Sequence, residues 1–381
     1  MRAGLYIHFP FCLKKCLYCD FNSTAWSGDE LDGYVELLLC EMELRQKVLP
    51  ETVQASTLYL GGGTPSLIAP ELVGRLIDQA ALRFGLEQGA EVTLEANPGT
   101  LTPERLAGYR AAGVNRLSLG IQSFEERLLE RLGRVHTVDE ALAAFEQARR
   151  AGFDNVSIDL MHSLPGQTLD DWRAALARGI ALAPEHVSAY ALSIEEGTPF
   201  EGLYQRGELQ LPAEEEAARM FETTAEMLTG AGYLHYEISN FGLPGRFSRH
   251  NQSYWSRQSY LGFGSGAHSF WNPDGLGRRW NNAADLDGYR AAIGARLLPE
   301  RDEVRLSLED AVAESFFLGL RVLTGMDLAP LKARFGEQAL AGQLAEVRGL
   351  LRAGLLVAEG ERIRLADSSV IIANSIFSRF L

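Results

Sequence analysis

Six apolar, strand-length runs alternate with helix-length segments through the first half of the chain, and this alternation limits the fold more than any other feature. The runs fall at residues 5–9, 57–60, 91–95, 116–121, 155–161 and 186–192. Helical segments are predicted between them at 29–47, with a Ser27-Gly28-Asp29 start, and at 70–84, 103–112, 138–151 and 169–181. Short links between strand and helix make consecutive strands parallel, joined by right-handed crossovers. Two architectures satisfy this: a doubly wound sheet, or a βα barrel that need not be complete. Pro or Asp near several helix starts, and Gly113 and Gly152 after two helix ends, are the punctuation such units require.

Chemistry-bearing residues recur where these runs end. The first is followed by Cys12-x-x-x-Cys16-x-x-Cys19, the second by Gly61-Gly62-Gly63-Thr64-Pro65. Glu95 ends the third, Gln122 follows the fourth, and Asp159 lies within the fifth. In βα barrels functional residues gather at the C-terminal ends of the strands, so five successive strands deliver polar groups to one rim. Three thiolates in one loop can hold three irons of a cubane cluster and leave the fourth open. Spacing alone also admits a zinc site with His8 as fourth ligand. The three glycines let a ligand approach the backbone and could offer free N–H groups to a carboxylate or phosphate. No Lys follows them, which excludes a Walker loop.

Charge and cysteine usage narrow the function classes. A formal net charge of −14 disfavours nucleic-acid binding, since phosphates would be repelled. No apolar run approaches the roughly 20 residues that span a bilayer, and the stretch before Cys12 is too short and polar for a signal peptide. The expected location is the cytoplasm. Three of the four cysteines crowd into eight residues, which reads as a metal site rather than a disulfide scaffold. Cys40 falls in a helical segment and reads as a small buried hydrophobe.

Beyond residue 192 the pattern changes. A helix is predicted at 213–230 and a strand at 233–239, then a Gly-, Asn- and aromatic-rich stretch at 241–280 reads as irregular, ligand-contacting loops. Within it, His250-Asn251-Gln252-Ser253-Tyr254-Trp255 offers either a haem-iron ligand or a hydrogen-bonded surface histidine. Gly262-Phe263-Gly264-Ser265-Gly266-Ala267 has the wrong spacing and context for a dinucleotide fingerprint. Helices at 308–323, 328–335 and 337–353, a strand pair at 355–357 and 362–365, and a closing helix suggest a winged-helix-like module. The domains expected are thus 1–240, a connecting segment at 241–304, and 305–381.

The cysteine motif preceded by Tyr6-Ile7-His8-Phe9-Pro10-Phe11 resembles the radical S-adenosylmethionine superfamily. More narrowly, the chain is similar to the branch holding oxygen-independent coproporphyrinogen III oxidase and the haem chaperones of the HemW family. The likeness runs over nearly the whole chain through Gly61–Pro65, Glu95-Ala96-Asn97-Pro98, Leu119–Phe124, Leu132-Gly133-Arg134, Asp159-Leu160-Met161 and Leu164–Thr168. It implies a partial (βα)6 barrel of the radical S-adenosylmethionine kind with a smaller C-terminal helical domain. It implies a [4Fe–4S] cluster on Cys12, Cys16 and Cys19, with S-adenosylmethionine chelating the open iron. Tyr6, Gly62, Gly63, Thr64, Glu95, Gln122, Arg134 and Asp159 match the positions that contact this cofactor in the oxidase. One-electron reduction would then cleave the sulfonium to a 5′-deoxyadenosyl radical.

Two departures separate the chain from the oxidase. Asp20-Phe21 stand where the oxidase carries a further Cys, and the motif begins almost at Met1, where the oxidase has an extension. Conversely, Cys19-Asp20-Phe21-Asn22 and the His250–Trp255 segment resemble the haem chaperones, which implies a haem contact at His250 and haem as cargo. The partners implied are haem-accepting proteins, respiratory ones near the membrane among them, and an electron donor; a homodimer is compatible with the resemblance. The competing activity is oxidative decarboxylation of coproporphyrinogen III. A DNA-binding regulator built on the C-terminal module is the third class.

Overall fold

A computed structural model describes residues 1–26, 28 and 30–381. The Ser27 and Asp29 part of the predicted first-helix start lies outside the described residues; the helix itself runs Glu30–Val48. Six strands form the predicted parallel series: β1 (Arg2–Phe9), β2 (Gln54–Gly62), β3 (Glu91–Ala96), β4 (Arg116–Gln122), β5 (Val156–His162) and β6 (His186–Ala191). They pair in that order, each parallel to the next, and the order never doubles back as a doubly wound sheet would. This is the partial (βα)6 barrel.

The strands alternate with period two, and the alternation explains both faces. On β4, Leu117, Leu119 and Ile121 are fully buried against the outer helices, while Arg116, Ser118, Gly120 and Gln122 take the opposite face. On β5, Val156, Ile158 and Leu160 alternate likewise with Ser157, Asp159 and Met161. Ordinary βα barrels fill their interior with branched aliphatic layers. Here the inward positions are polar, so the barrel keeps a chamber. Threonines at the starts of two outer helices, Thr137 and Thr168, close capping boxes with Glu140 and Asp171, which fixes where these helices begin.

The stretch expected to be irregular at 241–280 is largely ordered into the same sheet. Strands β7 (Leu234–Glu237) and β8 (Asn240–Gly242) form a hairpin beside β6, where one strand at 233–239 was expected. Strands β9 (Ser259–Phe263), β10 (His268–Trp271), β11 (Arg278–Asn282) and β12 (Glu300–Arg305) add to the free edge of β1. The whole sheet has twelve strands in the order β12-β11-β10-β9-β1-β2-β3-β4-β5-β6-β8-β7. Of the four strands added beside β1, β9 pairs parallel to it, and the outer three follow antiparallel. These strands are short, and β11 and β12 are made mostly of charged residues and Asn, so pairing to an existing edge supplies what their own pattern lacks.

Residues 308–380 build a second core around Phe316, Leu340, Leu350 and Phe380. Helices Leu308–Gly319, Leu328–Phe335 and Ala341–Arg352 pack on a three-stranded antiparallel sheet of Met326–Asp327, Arg362–Leu365 and Leu356–Glu359. This is the winged-helix-like arrangement. The third helix starts at Ala341, four residues later than the pattern suggested, because Gly336 turns the chain at a φ of 79°. Among the described residues no helix is long and apolar enough to cross a membrane.

Candidate functional site

A cavity of about 440 Å³ opens at the C-terminal ends of the parallel strands. Cys12, Cys16 and Cys19 form one wall, and none is in a disulfide. Gly62, Gly63, Thr64, Glu95, Gln122, Arg134 and Asp159 complete the rim and interior. Ten of the twelve positions singled out in the sequence therefore meet in one chamber; Tyr6 and His250 do not line it.

The cysteine loop is held at several points. Thr24–Ala25 pairs with Phe11–Cys12, and Leu17 N–H donates to the Leu132 carbonyl at 3.1 Å. Gly133, at a φ of 76°, ends the short helix Glu126–Leu132 and turns Arg134 toward the loop. Arg134 Nη1 then lies 3.6 Å from Cys16 Sγ, and its Nη2 donates to the Gly120 carbonyl at 2.7 Å. At the loop's far end Asn22 donates to Ser265 and Ala284 carbonyls at 3.2 and 3.0 Å. The Gly262–Ala267 run is thus a brace for the cysteine loop: Glu41, buried beneath it, accepts from Gly264 N–H at 2.8 Å and from the Tyr289 hydroxyl at 2.7 Å.

The glycine run does a different job from the one expected. Its N–H groups are not free: Gly62 donates to Glu95 Oε2, Gly63 to the Phe9 carbonyl and Thr64 to the Phe11 carbonyl. What the glycines provide is room. A Cβ on Gly63 would lie 2.6 Å from the Phe11 oxygen and 2.9 Å from Cys12 Sγ. A Cβ on Gly62 would meet the His8 ring at 2.7 Å.

Two carboxylates sit inside the barrel. Glu95 accepts from the Tyr59 hydroxyl at 2.7 Å and from Gly62 N–H at 3.1 Å. Burial pushes its carboxyl up to about 7, against the Tyr59 hydrogen bond, and the Asp159 charge adds to the rise. Asp159 accepts from Ser118 Oγ at 3.2 and 3.3 Å, and burial raises it too. Gln122 ends β4 at a φ of 67°, a left-handed conformation rare outside glycine and favoured at functional rims.

His250 is not at a surface. It is 1% exposed, with Nδ1 2.8 Å from Thr57 Oγ1 and Nε2 2.7 Å from the Tyr254 hydroxyl. Its ring stacks on Tyr59 at 5.0 Å between centroids. Burial holds its pKa down at about 3, with the Arg116 charge adding to the effect, so the imidazole is neutral. Both ring nitrogens are engaged, and neither is offered to a metal. Tyr6 lies behind the chamber, its hydroxyl 3.0 Å from His8 Nδ1. His8 Nε2 faces the Asn22 carbonyl at 2.8 Å, so His8 does not serve as a fourth ligand beside the cysteines. Cys40 packs half-buried against the core, away from the cavity lining.

Sequence reading missed Tyr59, Arg116, Ser118, Ser188 and Tyr190, which also line the chamber. The signal was present: each falls on the inward, period-two register of its strand, alongside Glu95, Gln122 or Asp159.

A polar-lined partial barrel with three free thiols at its rim defines the radical S-adenosylmethionine class of protein. The Radical SAM superfamily model matches residues 6–178, and the HemN C-terminal domain model matches residues 306–369. The haem chaperone HemW of Bacillus subtilis is 37% identical over 381 residues, spanning 99% of this chain and 98% of its own. That of Lactococcus lactis is 36% identical over 379 residues, spanning 99% and 96%. The chain belongs to the HemW family. The solved structure of coproporphyrinogen III oxidase (HemN) from Escherichia coli, a radical SAM enzyme, superposes with a TM-score of 0.85 at 23% identity, over 99% of this chain and 89% of that one, and shares the fold.

The family implies a [4Fe–4S] cluster and S-adenosylmethionine, and the residues present fit both. Three unpaired cysteines face one chamber, the backbone beside Cys12 is cleared of side chains by Gly63, and buried carboxylates wait where a cation could meet them.

Proposed function

We propose that this protein carries haem to haem-requiring acceptor proteins, and that Cys12, Cys16 and Cys19 hold a [4Fe–4S] cluster with S-adenosylmethionine at its open iron. The observation that carries the reading is the convergence of the three cysteines with Glu95, Gln122, Arg134 and Asp159 on one chamber, in a chain similar end to end to proteins named haem chaperones. When bound, the cluster supplies a single electron to the sulfonium.

The chain's own residues do the rest. Glu95 and Asp159 accept from the ammonium or ribose hydroxyls of the cofactor, which need ionised or strongly polarised acceptors. Gly63 lets the Phe11–Cys12 backbone and the Cys12 sulfur pack close against the glycine run, which sets where Cys12 stands. Arg134 places a positive charge beside the Cys16 sulfur and can meet the cofactor carboxylate. Tyr6 supports the site from behind Tyr59. Haem ligation by His250 requires one ring nitrogen to give up Thr57 or Tyr254, so haem binding is accompanied by a movement of the helix Arg249–Trp255. The cytoplasm is the place this reading assigns.

The test is one anaerobic incubation of the reconstituted, reduced protein with S-adenosylmethionine and coproporphyrinogen III, with products separated by chromatography, beside a haem titration followed by absorbance. Haem binding without porphyrinogen turnover, and haem transfer to an apo acceptor, are expected. Decarboxylated product at multiple turnovers overturns the carrier reading in favour of an oxidase. Unchanged haem affinity and spectrum in His250→Ala overturns the ligand assignment.

A further inference from the structure

Arg116 is the first residue of β4 and points into the barrel. It is 2% exposed, and it lines the cavity. Its Nε atom is buried without a hydrogen-bond partner. Among the described residues it enters no ion pair. A guanidinium taken out of water is costly unless a counter-charge repays it, so a buried one with an unpartnered Nε and no ion pair needs a reason. The strand register gives one. Glu95 is paired with Ser118, and Thr93 with Arg116. Ser118 in turn donates to Asp159. Ser118 also pairs with Ser157, so Arg116 rises from one inward layer below Glu95 and two below Asp159.

We propose that Arg116 is a positioning residue for the cofactor: its charge, held deeper in the barrel than Glu95 and Asp159 and in no ion pair with either, favours their ionised forms, in which they accept from the cationic groups of S-adenosylmethionine. The inference rests on the cofactor reading above and goes beyond it. Two carboxylates in a closed chamber repel each other and tend to take up a proton. A protonated Glu95 would present a donor where the ammonium or ribose needs an acceptor.

Hydrogen bonds from Tyr59 and Gly62 to Glu95, and from Ser188 and Ser118 to Asp159, also favour the ionised forms, but Arg116 is the cation that acts on both. The tyrosines facing the pair, Tyr6, Tyr59, Tyr190 and Tyr254, are all pushed upward by burial and stay neutral. Tyr236, facing Arg116 from β7, is pushed upward as well. The histidines His186 and His250 are pushed down by burial and are neutral too. Arg134 is a second cation whose charge also acts on Asp159, while its guanidinium is turned to Cys16 and the Gly120 carbonyl. Burial raises both carboxyls, and the Arg116 charge offsets part of that rise at each.

The test measures S-adenosylmethionine affinity by equilibrium dialysis on the full, cluster-loaded protein from pH 6 to 9. The wild type gains affinity as pH rises through about 7, where Glu95 ionises. Arg116→Met moves that midpoint up by about one unit and weakens binding near pH 7 by about tenfold, with recovery by pH 9. Arg116→Lys keeps the wild-type profile. Arg116→Met combined with Glu95→Gln loses the pH dependence and, relieved of the repulsion, serves as the folding control. An unmoved midpoint in Arg116→Met, or an equal loss at every pH, overturns the inference. Absence of binding by the wild type at every pH overturns the cofactor reading itself.

Discussion

The Tyr59 hydroxyl donates to Glu95 Oε1 at 2.7 Å, while the same ring stacks on His250 at a centroid distance of 5.0 Å. One side chain on β2 thus bridges the cofactor chamber and the segment that resembles a haem-binding motif. A group that moves His250 must disturb Tyr59, and a group that neutralises Glu95 alters the bond Tyr59 makes.

Tyr59→Phe keeps the stack and removes the bond. Glu95 then loses an acceptor's partner in a dry site, at about 1–3 kcal/mol. Glu95 has a folded pKa raised from 4.5 to about 7, so its contribution to stability is full below about 4.5 and is lost as pH rises to about 7. The destabilisation by Tyr59→Phe is therefore larger at pH 8, where the carboxylate is charged, than at pH 6. Thermal unfolding at the two pH values reads this directly, and equal shifts would contradict it.

His250 behaves oppositely. Its folded pKa of about 3 lies below the unfolded value, so the stability it contributes is full above about 6.5 and is lost as pH falls toward 3. Each pH unit in that window removes about 1.4 kcal/mol. His250→Gln, which has no proton to take up, shows a shallower loss of stability between pH 7 and 5 by about 2 kcal/mol in denaturant unfolding. Parallel curves for the two proteins would show that the ring is not the neutral, buried group described.

Gly63→Ala forces a methyl within 2.6 Å of the Phe11 carbonyl and 2.9 Å of Cys12 Sγ. Displacing that wall costs about 1–3 kcal/mol and moves one of the three cysteines. Iron content and cluster absorbance after reconstitution fall well below wild type. Gly74→Ala, whose added methyl meets only Ala112 Cβ at 3.6 Å, leaves both unchanged.

Glu314, on the helix Leu308–Gly319, holds Arg257 at 3.1 Å and Arg279 at 2.7 Å, and so ties the C-terminal module to the extended sheet. Arg257 has only 4% of its side chain exposed. Glu314→Gln strands that charge, and a loss of about 3–5 kcal/mol in urea unfolding is expected. A loss under 1 kcal/mol would mean that the carbonyls of Gly275 and Leu276, which also accept from Arg257, suffice to hold it.

The alternation of apolar runs and the residues at their ends were enough to set the parallel barrel and to bring the three cysteines, Glu95, Gln122 and Asp159 to one rim. Those features are local: period two fixes which side chains turn inward, and a strand end fixes where a loop emerges. The sequence likewise marked the C-terminal module by its helices and final hairpin. It did not reveal that Ser259–Phe263 pairs parallel to Arg2–Phe9, because the two lie far apart along the chain and only the folded sheet brings their edges together. Nor did it reveal that the N–H groups of Gly62, Gly63 and Thr64 are consumed, that His250 is folded into the barrel against Thr57, or that Arg116 lies beneath two carboxylates. Each of these depends on which residues meet across strands far apart in the chain. Closure of the sheet decides that, since burial and charge act through space and local periodicity acts only along the backbone.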